Sequence, residues 1–294
     1  MTRKIKLNFT AIDILILVYI LIQFCIVVFL GSESPGFLLI FYLASANLIL
    51  FISIIPRRNE ISPLHFTKYV YSPVLLYLFY RVLGIQTQML NLQPQDMFFY
   101  SLEKTLFKVY PSFALQGIME VWLNETTYVL YCLSIVLPIW TIIKLYKKAS
   151  IDLFENYILA LTIGGLACLT TISVFPVLGP GKALADIYYL GIYGPRFSVV
   201  VPFIISLVAS STGSFPAIYF CLLTISAYYL WDFGKSYVII SFLFLISVLW
   251  GGIYLRYHYL ADVLIALIIA FLAATVANFI FYLKQGQHDE RKQV

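Results

Sequence analysis

Tyr254-Leu-Arg-Tyr-His-Tyr-Leu-Ala-Asp262 opens the last long apolar run of the chain and sets Arg256, His258 and Asp262 at its mouth. Ionisable groups at the edge of a hydrophobic layer are expensive, so their clustering asks for a function. His258 and Asp262 are four residues apart. If the last span begins near Tyr257, they share one helical face, with the carboxylate one turn below the imidazole. A carboxylate accepting from one ring nitrogen would leave the other unprotonated and nucleophilic, the orienting logic of a catalytic pair. The plainer alternative is an interfacial histidine beside an acid that favours a helix start.

Outward from this stretch, the composition is 62% hydrophobic and 11% charged. The apolar residues fall in runs of about 20, the length that crosses a bilayer as a helix. The expected fold is an all-α polytopic membrane bundle of about eight spans, near residues 10–31, 36–55, 65–84, 122–143, 154–176, 214–231, 236–255 and 258–283. Residues 1–60 form a membrane hairpin in this scheme, 61–284 the main membrane domain and 285–294 a tail. The first run follows Arg3, Lys4 and Lys6 like a signal peptide, but its length and the lack of a small-residue cleavage site mark a retained helix.

Eight spans put both termini on one side. All but six of the 19 Lys and Arg then share that side, from Arg3, Lys4 and Lys6 through Arg57, Arg58, Lys68, Lys144 and Lys235 to Lys284, Arg291 and Lys292. Arg81, Lys104, Lys108, Lys182, Arg196 and Arg256 lie opposite. The larger set marks the cytoplasm, so His258 faces the periplasm, cell exterior or organelle lumen. Cations spread over span ends, rather than gathered on one surface, argue against nucleic acid as a partner. Cys25, Cys132, Cys168 and Cys221 sit inside apolar runs without CxxC spacing, so they read as small hydrophobes rather than disulfides or ligands. No His or carboxylate cluster has metal-ligand spacing.

Two long non-spanning stretches, 85–121 and 177–213, fall on the His258 side. The first holds an amphipathic segment, with Phe98, Phe99, Leu102, Leu106 and Phe107 apolar and Glu103, Lys104 and Lys108 charged, which reads as an interfacial helix or a packed loop. The second is punctuated by Pro and Gly, from Phe175–Lys182 (FPVLGPGK) through Gly194-Pro-Arg196 to Ser210–Pro216. Gly213 and Ser214 precede the next span, where unpaired N–H groups favour an anion. Lys182, Arg196 and Arg256 reach the same membrane face, and a phosphate would satisfy all three. Cations that only snorkel to lipid headgroups are the alternative.

With these residues in view, the chain from about Tyr80 to Ile269 resembles the type-2 phosphatidic acid phosphatase superfamily, and more closely its inositol phosphorylceramide synthase-like branch. Gly251–Leu264, GGIYLRYHYLADVL, is similar to that branch's STVYLRYHYVVDVL. FPVLGPGK resembles its FPxxGPR, Ser214–Tyr219 (SFPAIY) its SFPSLH, and Glu103–Gln116 (EKTLFKVYPSFALQ) a DxxLFG…P segment. The resemblance implies a six-helix core, a site on the non-cytoplasmic face, His258 as the nucleophile that takes the phosphoryl group and Asp262 as its orienting partner. It implies no metal and no cofactor, the charge being met by cations. Lys182 stands one place beyond the expected arginine, Arg256 matches the arginine of YLRYHY, and Arg196 has no motif counterpart.

Three departures accompany the matches. The histidine that would protonate the leaving oxygen is Tyr219 here, the preceding serine is Ala217, and the Ser-Thr or Ser-Arg pair is Gly251-Gly252. His65 and His288 fall at the cytoplasmic end and cannot replace the acid. A tyrosine hydroxyl can protonate an alkoxide, while losing a positioned acid costs about 10² to 10⁴ in rate; Tyr219 can equally be a core tyrosine. The leading expectation is a membrane phosphatase or phosphotransferase acting on a lipid phosphate or phosphodiester. Its rival is a catalytically degenerate lipid-phosphate-binding or assembly protein on the same scaffold. A transporter lacks the paired halves such folds show. Oligomeric state is not legible.

Overall fold

The computed structural model describes residues 7–31, 36–55 and 63–290, leaving aside the side chains of Val208 and of 284–290. Arg3, Lys4, Lys6, Arg57, Arg58, Arg291 and Lys292, which carry much of the expected charge asymmetry, lie outside the described residues, as do the side chains of Lys284 and His288. In chain order the α-helices are α1 (Ala11–Leu30), α2 (Gly36–Ser53), α3 (Pro63–Met89), α4 (Asp96–Phe107), α5 (Pro111–Ala114), α6 (Val121–Leu133), α7 (Val136–Lys148), α8 (Ile151–Val174), α9 (Pro180–Ala183), α10 (Phe197–Val208), α11 (Ile218–Leu230), α12 (Lys235–Tyr254) and α13 (Leu260–Glu290). The described residues hold no strand beyond a single bridge, Val177 to Gly213. Six helical segments among them are long and apolar enough to cross a membrane: α1, α2, α6 with α7, α8, α12 and α13. This is the architecture of an integral membrane protein. α3 is long but less apolar, and α11 has only 13 residues.

α8 is the centre of the bundle, 72% buried over its apolar window against 22–39% for the other candidate spans. It packs on α13, α3, α11, α1 and α7. Small residues make this possible. A Cβ on Gly164 would stand 2.7 Å from Ile225, and one on Gly165 would stand 2.6 Å from Leu76. α13 answers with Ala266, Ala270, Ala273, Ala274 and Ala277, each at most 3% exposed. Close approach of small residues is how helices gain dispersion energy where lipid removes the hydrophobic drive between them. Polar contacts supplement it: Ser72 meets Thr162 at 2.5 Å, and Tyr42 donates to Gln86, which donates to Gln23, which donates to Ser173. Lys68 is fully buried, and its ammonium donates to the carbonyls of Asn8 and Ile55, tying both ends of the α1–α2 hairpin to α3.

Three details differ from the sequence reading. The span expected at 122–143 is two helices with a break at Ser134 and Ile135, because Pro138 cannot donate back to the Ser134 carbonyl. The stretch 177–213 contains an apolar helix, α10, whose 12 residues reach only about 18 Å and cannot cross a 30 Å core. The last helix starts at Leu260, not near Tyr257, and continues to Glu290 through part of the expected tail. The cause of the late start is Arg256, whose φ of 62° puts a left-handed residue between α12 and α13.

Candidate functional site

Three segments interlock at the end of the bundle where α8 finishes and α13 begins. Val177 donates its N–H to the Thr212 carbonyl and accepts from the Ser214 N–H, which pins 175–182 to 210–216. Gly181 donates to the Arg256 carbonyl, and Ala217 donates to the Asp262 carbonyl, which joins both to 255–262. Gly179 lies at φ 92°, and a Cβ there would stand 2.6 Å from the Tyr257 carbonyl oxygen. This position therefore requires glycine for both conformation and contact. Two acids on α4 hold the assembly from outside. Asp96 accepts from the N–H groups of Leu178 and Gly179 at 2.9 Å each and from the Tyr259 hydroxyl at 3.1 Å. Glu103 accepts from the Leu260 N–H at the start of α13.

His258 sits in the turn before α13, so it does not share a helical face with Asp262. Its Nδ1 lies 2.9 Å from the main-chain carbonyl of Ser214 and 3.7 Å from Asp262 Oδ2. A carbonyl oxygen only accepts, so Nδ1 is the donor, and in the neutral ring Nε2 is the nitrogen that holds the lone pair. Nε2 bonds to no described residue, and the His258 side chain is 11% exposed. The expected carboxylate–imidazole hydrogen bond is thus replaced by a carbonyl–imidazole one. The carboxylate is committed elsewhere: Asp262 Oδ2 accepts from Ser214 Oγ at 2.7 Å and from the Tyr259 N–H at 2.9 Å. The latter is an acid three residues into a helix closing back on the capping residue. Asp262 thus meets His258 through Ser214, whose hydroxyl it binds and whose carbonyl holds the ring, and among the described residues its Oδ1 has no partner.

The cations divide. Lys182 is exposed and its ammonium lies 3.3 Å from the Ser211 carbonyl. Arg256 is 9% exposed, donates to the Leu190 carbonyl at 2.6 Å and lies over the Tyr188 ring at 3.9 Å. Among the described residues no carboxylate pairs with it, and its Nε is buried without a partner. Burial pulls its pKa below the usual value, with Tyr188, Tyr128, Tyr254 and Tyr193 acting the other way. Arg196 is exposed at the start of α10, where its N–H, with those of Phe197 and Ser198, binds Glu125. Among the described residues no hydrogen bond or ion pair joins it to His258. The N–H of Ser214, read as open to an anion, is used by Val177.

Tyr219 does not offer its hydroxyl as the sequence comparison would ask. The hydroxyl bonds to Ser134 Oγ at 2.6 Å, at the break between α6 and α7, and the ring packs edge-on to Tyr131. Tyr131 stacks in turn on Tyr257. Gly252 is directly beside the imidazole, for a Cβ there would stand 3.2 Å from His258 Cδ2. Among the described residues no three His, Cys, Asp or Glu side chains gather as a metal site would need.

Sequence reasoning missed Asp96, Glu103 and the carbonyl role of Ser214. Glu103, one of the charged residues of a segment that reads as an interfacial helix or a packed loop, is 2% exposed, while Met97, Phe98 and Leu106 face outward. Only an acid in register with apolar neighbours hinted at this. No known family model matches the chain, and neither does any curated protein or solved structure.

Proposed function

We propose that the chain is an integral membrane phosphatase or phosphotransferase acting on a lipid phosphate or phosphodiester at the His258 end of the bundle. Residues 61–284 form a type-2 phosphatidic acid phosphatase-like domain in this reading, with α3 also crossing, α11 crossing together with residues 214–217 before it and the turn Trp231–Phe233 after it, and both termini cytoplasmic. The observation that supports it is the His258 ring, held at Nδ1 by the Ser214 carbonyl while Nε2 bonds to no described residue and the side chain is 11% exposed. The Nε2 lone pair attacks phosphorus, the bond to the leaving oxygen breaks, and water or a hydroxyl then takes the phosphoryl group from nitrogen. Asp262, 3.7 Å from Nδ1, favours the positive ring that forms. Lys182 supplies charge at the opening. Arg256, buried without a carboxylate, supplies a field that an anion would relieve.

With the Tyr219 hydroxyl held by Ser134, this reading has no positioned acid for the leaving oxygen among the described residues. The reaction then favours leaving groups that depart as stable anions, and a lipid diphosphate expelling a phosphate monoester is the natural class, its second pKa being about 6. The same Tyr219 contact favours the second reading, a lipid-phosphate binder without turnover. Phosphate release by the purified protein, with chelator, from matched lipid diphosphates and monophosphates separates the two. The enzyme reading expects diphosphate turnover about 10² to 10⁴ faster than monophosphate turnover, abolished by His258→Ala. Binding of both without release would support the second reading.

A further inference from the structure

Ser214 touches both members of the pair His258 and Asp262. Its main-chain carbonyl lies 2.9 Å from Nδ1 of the ring, and its hydroxyl donates to Asp262 Oδ2 at 2.7 Å. The residue is 5% exposed and its N–H donates to the Val177 carbonyl at 3.0 Å, so its main chain is held in place beside the ring. A hydroxyl carries one hydrogen. The Tyr257 carbonyl, 3.0 Å away, is the alternative acceptor, but the carboxylate is nearer and charged and makes the stronger bond.

Asp262 Oδ2 therefore faces three donors at increasing distance: Ser214 Oγ at 2.7 Å, the Tyr259 N–H at 2.9 Å and His258 Nδ1 at 3.7 Å. The first two are hydrogen bonds and the third is too long for one. Asp262 is fully buried, and a buried carboxylate that loses a donor is driven to replace it. Nδ1 stands next in reach, and a small rotation of either side chain closes the gap. We propose that the Ser214 hydroxyl is a positioning group for the reaction at His258. By occupying Oδ2 it keeps the carboxylate off the ring, so that the resting imidazole takes its direction from a main-chain oxygen that cannot rotate. The consequence for catalysis rests on the phosphoryl reading of His258. Without the hydroxyl the ring turns towards Asp262 and Nε2 swings off its line to phosphorus, and a misplacement of about 1 Å costs on the order of 10²-fold in rate. This gives position 214 a reason to be serine, which its carbonyl alone does not.

The chain has three histidines, so magic-angle-spinning NMR of the full-length protein in lipid, with nitrogen-15 in the histidine rings alone, resolves His258. Its signals are those lost in His258→Ala. At about pH 8, where an ordinary imidazole is neutral, the wild type should show the proton on Nδ1 and a bare Nε2. Ser214→Ala should move the Nδ1 proton to lower field, the mark of a charge-assisted bond to a carboxylate, and adding Asp262→Asn should bring it back. Ser214→Cys, of nearly the same shape with a weak S–H donor, should move it part of the way and serves where Ser214→Ala does not fold. With a lipid diphosphate, kcat of Ser214→Ala should fall roughly 10²-fold with KM little changed. A wild-type proton on Nε2, His258 signals unmoved by Ser214→Ala, the same shift in the double variant, or full turnover by Ser214→Ala would each overturn the proposal. The ring signals decide the role of Ser214 without turnover. Failure of the phosphoryl reading would appear separately, as a wild type with the expected ring signals that releases no phosphate.

Discussion

At the scale of single residues, the site rests on positions where one side chain is tolerated. Gly179 adopts φ 92° against the Tyr257 carbonyl. Gly179→Ala should cost about 1–3 kcal/mol and lower the melting temperature of the purified protein, because a left-handed residue with a side chain is strained and here also collides. Tyr219 makes a different prediction. Its hydroxyl serves Ser134, so Tyr219→Phe should cost about 1 kcal/mol of stability and leave any phosphate release unchanged. A fall of 10² to 10⁴ in turnover at unchanged melting temperature would instead make Tyr219 the acid. The sequence singled out His258, Asp262, Lys182, Arg256 and Tyr219 by motif and spacing. It could not show which oxygen His258 bonds, since the Ser214 carbonyl is a main-chain atom that any residue type would supply.

At the scale of elements, α4 and the start of α13 form one unit. Glu103 holds the Leu260 N–H from within the protein, and burial raises its pKa from the ordinary value near 4.5 to about 7, the neighbouring Asp262 adding to the rise. A carboxyl with a raised folded-state pKa binds more protons folded than unfolded, so stability falls as pH rises through the window between those values. Melting temperatures measured from pH 4.5 to 8 should therefore show the wild type losing stability relative to Glu103→Gln between about pH 4.5 and 7, with no further relative change above. A relative gain across that window would contradict the assignment. The helix itself was legible from its apolar residues. Its orientation was not, because Glu103 turns inward for the N–H groups of another helix, a tertiary demand that local amphipathicity does not encode.

At the scale of the whole molecule, long apolar runs made the membrane bundle legible, while the break at Ser134 and the short helix α10 depended on packing around Pro138 and the site loops. Lys68 was read as a topology charge, yet it is a buried clamp on the α1–α2 hairpin. Lys68→Met leaves two carbonyls without that donor and should cost about 1–3 kcal/mol each where they stay dry, with faster hydrogen exchange confined to α1 and α2. Uniform acceleration across α8 and α13 would show that the hairpin does not open separately. In the proposed function the interlocking of 175–182, 210–216 and 255–262 presents His258 Nε2 to a lipid phosphate, and rapid-quench labelling tests this most directly. With a lipid diphosphate carrying a radioactive terminal phosphate, and chelator present, the protein should acquire an acid-labile, base-stable label on His258 that is absent in His258→Ala. Lipid diphosphate bound at saturation with no covalent label at any time, or a label that persists in His258→Ala, would contradict the account.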